Sequence, residues 1–151
     1  MITAELNKII LYVTKQKGPD FSGYFYTPLK EKAVPFSSFA ELVVELDKQF
    51  DILQFPQAQF ARRSFTQEQP VHFERLQEVK TFSKHPVQKE LMHSISRFLI
   101  HVQFRQNSGW QGSIKWLRKK SIEKHFRGTA ELLYLINSAL TADSSSQELE
   151  A

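Results

Sequence analysis

Phe126–Leu140, FRGTAELLYLINSAL, and Phe36–Phe50, FSSFAELVVELDKQF, follow one pattern, and their correspondence decides the fold. An offset of 90 positions, with no gap, sets Phe36 on Phe126, Ala40 on Ala130, Glu41 on Glu131, Leu42 on Leu132, Asp47 on Asn137 and Phe50 on Leu140. In the first stretch Phe39, Leu42, Val43, Leu46 and Phe50 recur with the 3.6-residue period of a helix buried along one stripe. Thr129, Leu132, Leu133, Ile136 and Leu140 hold the same stripe in the second. Ser38 followed by Glu41 is a capping box, in which the serine oxygen takes a free N–H and the carboxylate reaches back. Gly128 with Glu131 makes a weaker start.

Working outward, each helix is preceded by strand patterns. In Ser96–Arg105, SRFLIHVQFR, the residues Phe98, Ile100, Val102 and Phe104 alternate with Arg97, Leu99, His101 and Gln103, as in a half-buried strand. QNSGWQG reads as a hairpin loop, SIKWL as a second strand, and SIEKHF, after the turn at RKK, as a third. In the first half KIILYVT is nearly continuous in apolar residues and predicts a strand covered on both faces. Gly18-Pro19-Asp20 is a turn, GYFYT a returning strand, and a short third strand fits before Phe36. The same offset sets Ile10 on Ile100 and Tyr12 on Val102.

The expected class is therefore α+β: a tandem duplication of a βββα (or ββα) unit, forming one antiparallel sheet with two helices packed on one face. The repeats cover about 8–50 and 96–140 within a single globular domain over 1–142. Between them, 51–95 reads as an irregular connector, with FPQAQFARRSFTQEQP draped over the domain and HFERLQEVKTF a short helix. Residues 143–151 read as a disordered polar tail.

At 151 residues the chain is long enough for one substantial core, and its thirteen phenylalanines make that core aromatic. The absence of cysteine excludes disulfides, thiolate metal sites and a cysteine nucleophile. The start, MITAELNKIILYV, does not read as a signal peptide, and no apolar run has the length of a membrane span, so a cytoplasmic protein is expected. No phosphate-binding loop, nucleophile elbow or dinucleotide fingerprint is present, and no cofactor is expected. His72, His85, His93, His101 and His125 include no i, i+4 pair, so no metal site is expected. Glu41 and Glu45 lie one turn apart, but Glu41 is explained as a cap and Glu45 matches Leu135. No catalytic residue is assigned, and the expectation is a protein that is not an enzyme.

Two surfaces remain. Arg105, Gln106, Asn107, Trp110 and Gln111 place a tryptophan among amides and an arginine at a hairpin, the composition of a protein-recognition tip. The alternative is that Trp110 folds back on the sheet edge while the amides tie the turn. Lys115, Arg118, Lys119, Lys120, Lys124 and Arg127 form a basic segment within a chain of net charge +4. Phosphate contacts from such a segment would give salt-sensitive nucleic-acid binding; the alternative is a solvated sheet face. Lys115 is expected to point away from the helices, with Lys124 on the same face. The leading expectation is a binding or regulatory protein acting through protein contacts at the open sheet face and the Trp110 hairpin. Nucleic-acid binding through the basic segment is the runner-up.

FRQNSGWQGSIKWL, FRGTAELLYLINSAL and FPQAQFARRSF together resemble a group of small uncharacterised bacterial proteins that carry FRQN, WQG and WL before a helix with ELL and SAL. The resemblance spans most of the chain and is more specific in its second half. It implies no activity, but it groups Arg105, Gln106, Asn107, Trp110, Gln111 and Gly112 as one unit.

Overall fold

Six stretches of alternating or continuous apolar character and two amphipathic ones become six strands and two helices. The computed structural model describes residues 7–27, 32–53, 56, 65, 94–106 and 109–150, with the side chains of 143–150 outside that description. The elements are β1 (Lys8–Lys17), β2 (Asp20–Tyr26), β3 (Val34–Phe36), α1 (Phe39–Leu53), β4 (Ser96–Phe104), β5 (Gln111–Trp116), β6 (Ile122–Phe126) and α2 (Thr129–Glu150). They form one six-stranded sheet in the order β3-β2-β1-β4-β5-β6, antiparallel throughout. Each half is thus βββα, and the halves meet where β1 pairs with β4, Ile9 opposite Ile100 and Leu11 opposite Phe98.

The helices share one face of this sheet. Leu42, Leu46, Leu132 and Ile136 are buried in the same cluster as Ile9, Leu11, Phe25, Phe98, Ile100 and Ile114. Val43 and Leu133, expected at full depth, are only partly buried at the margin of the cluster. The cap at α1 is as the sequence implies: the Glu41 N–H donates to Ser38 Oγ, and the Glu41 carboxylate accepts from Ser37 N–H and Oγ. Glu131 accepts in the same way from Arg127 N–H. The helix α2 continues through Glu150, so the tail expected to be disordered is helical; no glycine or proline interrupts Thr141–Glu150. The connector readings for 57–64 and 66–93, including the short helix, lie outside the described residues.

The strand phase departs from the 90-position offset. Ile10 is half-buried on the face away from the helices, whereas Ile100 is in the core. Equivalent pairings in β1–β2 and β4–β5 lie 89 positions apart: Val13 opposite Gly23 matches Val102 opposite Gly112. From the third strands onward the offset is 90, with Gly23 opposite Phe36 and Gly112 opposite Phe126. The second half therefore carries one more residue between its second and third strands.

Both first strands carry a bulge, after Val13 and after Val102, where the cross-strand register skips Thr14 and Gln103. The facing residue must be glycine. A Cβ on Gly23 would stand 1.9 Å from the Tyr12 carbonyl oxygen, and one on Gly112 would stand 1.9 Å from that of His101. The bulge also reverses the inward–outward phase of the residues beyond it. Phe104, inward by strict alternation, turns out and is 57% exposed, while Arg105 turns in and is 5% exposed.

Leu46→Ala should cost about 2–5 kcal/mol through the cavity it leaves. Gly112→Ala should cost about 2–4 kcal/mol, because only a shift of backbone can make room for the methyl. Urea denaturation of each variant, read as the change in midpoint at constant slope, checks both values.

Candidate functional site

The Trp110 hairpin is built inward. Trp110 is 1% exposed; its indole N–H donates to Asp47 Oδ1 on α1 at 2.7 Å, and its ring meets Phe50 edge-on at 5.7 Å. Its backbone N–H donates to Thr129 Oγ1 at the start of α2, 3.1 Å away. Arg105, turned in by the bulge, donates from Nη1 to Asp51 Oδ1 at 2.7 Å and from Nε to the Pro56 carbonyl at 2.5 Å. Its Nη1 is also 3.6 Å from Asp47, and the guanidinium lies over the Phe50 ring. Gln111 bridges the turn, accepting from Gln106 N–H and donating to the Gln106 carbonyl. Trp110 and Arg105 are therefore a tie between the β4–β5 hairpin and α1, and the exposed recognition tip expected from composition is corrected. Gln106 stays exposed, and Asn107 lies outside the described residues.

The opposite tie mirrors it. Asn137 on α2, the counterpart of Asp47, donates from Nδ2 to the Pro19 carbonyl in the β1–β2 turn at 2.7 Å. Each helix thus holds the hairpin of the other half.

The basic segment is divided. Lys115 faces away from the helices, as expected, but its cross-strand partner is Glu123. Lys124 lies opposite Ile114 and so points to the helix side, which corrects the shared face expected for it. Arg118, Lys119 and Lys120 are exposed at the β5–β6 turn, with Arg118 stacked over Trp116 at 4.3 Å. Arg127 is exposed beyond β6.

What the pairing assembles instead is the sheet face turned from the helices. Lys8 stands opposite His101, which stands opposite Ser113 and then His125. The next row is Tyr26, Ile10, Leu99, Lys115 and Glu123, and the next Tyr24, Tyr12 and Arg97. Past the bulges, Lys15 and Phe104 join this face, with Lys15 opposite Ser22 and Phe104 opposite Gln111. Lys8, Lys15, Arg97, Lys115 and Phe104 are exposed, and Tyr12 and Tyr24 half-buried. Tyr26 is 1% exposed on the same face, its ring edge-on to Tyr12 at 5.7 Å. In these rows the acidic residue is Glu123; Asp20, opposite Lys17, turns its carboxylate to the N–H groups of Phe21 and Phe39.

The imidazole of His101 holds its proton less readily than usual. Burial strips its water, and Lys8 opposite repels the charge; Glu123 acts in the other direction. Lys8, Arg97 and Tyr12 are scattered in sequence, so no local run of charge reveals this face. The signal is the even-numbered phase of β1, Lys8, Ile10 and Tyr12, read together with the bulges.

Comparison with known proteins finds no family model, no curated protein and no solved structure that matches this chain. Among the described residues no helix is long and apolar enough to cross a membrane, and no group of three or more His, Asp or Glu side chains is placed to hold a metal ion.

Trp110→Ala should cost about 3–5 kcal/mol, as for a core aromatic. Arg105→Ala should cost about as much, roughly 3–5 kcal/mol, because it breaks the buried ion pair with Asp51 from one side. Lysine at 105 should not restore the loss, since it lacks the fork that reaches a carboxylate and a carbonyl together. Thermal melts of the three variants decide this. For His101 the folded pKa lies below the unfolded value near 6.5, so the unfolded chain takes up this proton first as the pH falls. The penalty is absent above that pH and grows below it. His101→Gln should therefore lose less stability than the parent between neutral pH and pH about 5, measured as urea midpoints.

Proposed function

We propose that this protein acts by binding single-stranded nucleic acid on the sheet face turned from the helices. The observation that carries the reading is the composition of that face: Lys8, Lys15, Arg97 and Lys115 exposed around Tyr12, Tyr24 and Phe104, with Glu123 as the acid in the described rows. Basic side chains along a flat sheet follow a phosphate backbone, and aromatic rings offer bases a stacking surface that does not depend on sequence. Lys119 and Lys120, exposed at the turn past the end of β5, add to the positive charge beside this face.

Binding of a protein partner is the second reading. Its support is Phe104, a large aromatic side chain held outward beside polar neighbours. Burial of Trp110 removes the anchor that the hairpin would have supplied to such a partner, and this shifts the balance to nucleic acid. We also read the halves as copies of one duplicated βββα unit. What supports this is the recurrence of the bulge, its facing glycine and the phenylalanine beside that glycine at corresponding places.

A fluorescently labelled fifteen-residue oligothymidylate should bind the protein with an affinity that falls as salt rises. Replacing Lys8, Arg97 and Lys115 with Ala should weaken binding by about tenfold or more and lower the log–log salt slope by roughly 0.7 for each phosphate no longer neutralised. Fluorescence anisotropy at several salt concentrations reads both. An unchanged slope in the triple variant removes nucleic acid from this face and leaves the protein partner as the reading.

A further inference from the structure

The two halves differ where α2 crosses the outer strands. In the first half Phe25 is fully buried, its ring 6.3 Å from that of Phe36, and Val34 packs on the core at the sheet edge. The corresponding positions in the second half are Ile114 and Lys124, which form the matching cross-strand pair. A smaller side chain replaces the phenyl ring, and a cation replaces the valine. The helix changes in the complementary sense: Glu45 and Gln49 of α1 correspond to Leu135 and Ala139 of α2.

The result is a cleft of about 190 Å³ between α2 and the β5–β6 edge, walled by Phe98, Ile114, Trp116, Ile122, Leu135 and Ala139. The polar side chains that line it are Ser138, whose hydroxyl donates to the Leu135 carbonyl, and Lys124. Lys124 is exposed at the mouth, and Arg118 lies over the Trp116 ring. Ile122, on the rim, is 42% exposed. An apolar cavity of roughly 150 Å³ holds a benzene ring, so this one has room for a chain of roughly six to eight carbons. Lys124 is the charged residue of this lining, and Arg118 stands on the Trp116 ring beside it.

We propose that this cleft binds a medium-chain carboxylate, with the hydrocarbon between Ile114 and Ala139 and the carboxylate at Lys124. Charge complementarity selects the anion: burial of the chain brings its head group to an ammonium on one side and a guanidinium nearby. The site lies on the opposite side of the sheet from the proposed nucleic-acid face and does not depend on it.

Sodium octanoate titrated into the full chain by calorimetry should bind with a dissociation constant on the order of 0.1–1 mM, and 1-octanol should bind more weakly. Ile114→Phe restores the side chain found at the corresponding place in the first half, and should reduce octanoate binding at least about tenfold while keeping the melting temperature. Ala139→Leu fills the cleft from the helix side and should do the same, which keeps the test valid if the first variant does not fold. Lys124→Gln should weaken octanoate by about fivefold and leave 1-octanol unchanged. Absence of octanoate binding, or binding that survives both filled clefts, overturns the site. Equal effects of Lys124→Gln on acid and alcohol overturn the carboxylate. Oligothymidylate binding should be unaltered in Ile114→Phe, so the two proposals fail separately.

Discussion

The pairing of β1 with β4 is the constraint on which the rest depends. Three strands and one helix bury too little apolar surface to stand firmly alone, and each half would end in an unpaired central strand. Setting Lys8–Val13 against Ser96–His101 joins two such layers into one sheet, and the rows Ile9–Ile100 and Leu11–Phe98 make the two small cores continuous. The outer strands then become the edges. On one side β3 is three residues long and carries Pro35, which has no N–H to offer a passing strand. On the other, β6 carries Glu123 and Lys124, whose charge opposes uncontrolled pairing.

The ties across the halves reinforce that joint. Asp47 takes the indole N–H of Trp110 and lies near Arg105, while Asn137 donates to the Pro19 carbonyl. Position 47 accepts and position 137 donates, so Asp47 and Asn137, aligned in sequence, are two solutions of one geometric problem. A similar exchange occurs at the helix starts. Asp20 accepts from Phe21 and Phe39 in the first half, and Thr129 accepts from Trp110 in the second. In each case the helix stays tied to a neighbouring strand or turn while the bond that ties it changes.

Helix periodicity in Phe36–Phe50 and Phe126–Leu140, and the capping signals before them, made the class and the helix faces legible from residues alone. Strand phase was legible only up to Val13 and Val102. A bulge has no local propensity signature, and its trace in the sequence is a glycine on the neighbouring strand, Gly23 or Gly112, which reads equally as a turn residue. That one slip produces the exposure of Phe104 and the burial of Arg105. The basic segment misled for a related reason. Charge runs are read along the chain, but a sheet sorts them by parity, sending Lys115 and Lys124 to opposite faces and gathering Lys8, Arg97 and Lys115 from three strands.

The joint between the halves is a strand pairing and not a peptide bond, and this has a topological consequence. Leu53 ends α1 and Ser96 begins β4, and the chain between them tethers the two halves covalently. Tether length enters stability only logarithmically, at about 0.6 kcal/mol for each doubling. The architecture is in effect a heterodimer written on one chain. Cut between α1 and β4, it becomes two fragments that present complementary strands and exchange hydrogen bonds from helix to hairpin, and the effective concentration set by the covalent link is lost. The same logic makes a reciprocal exchange of halves between two molecules geometrically equivalent to the closed monomer.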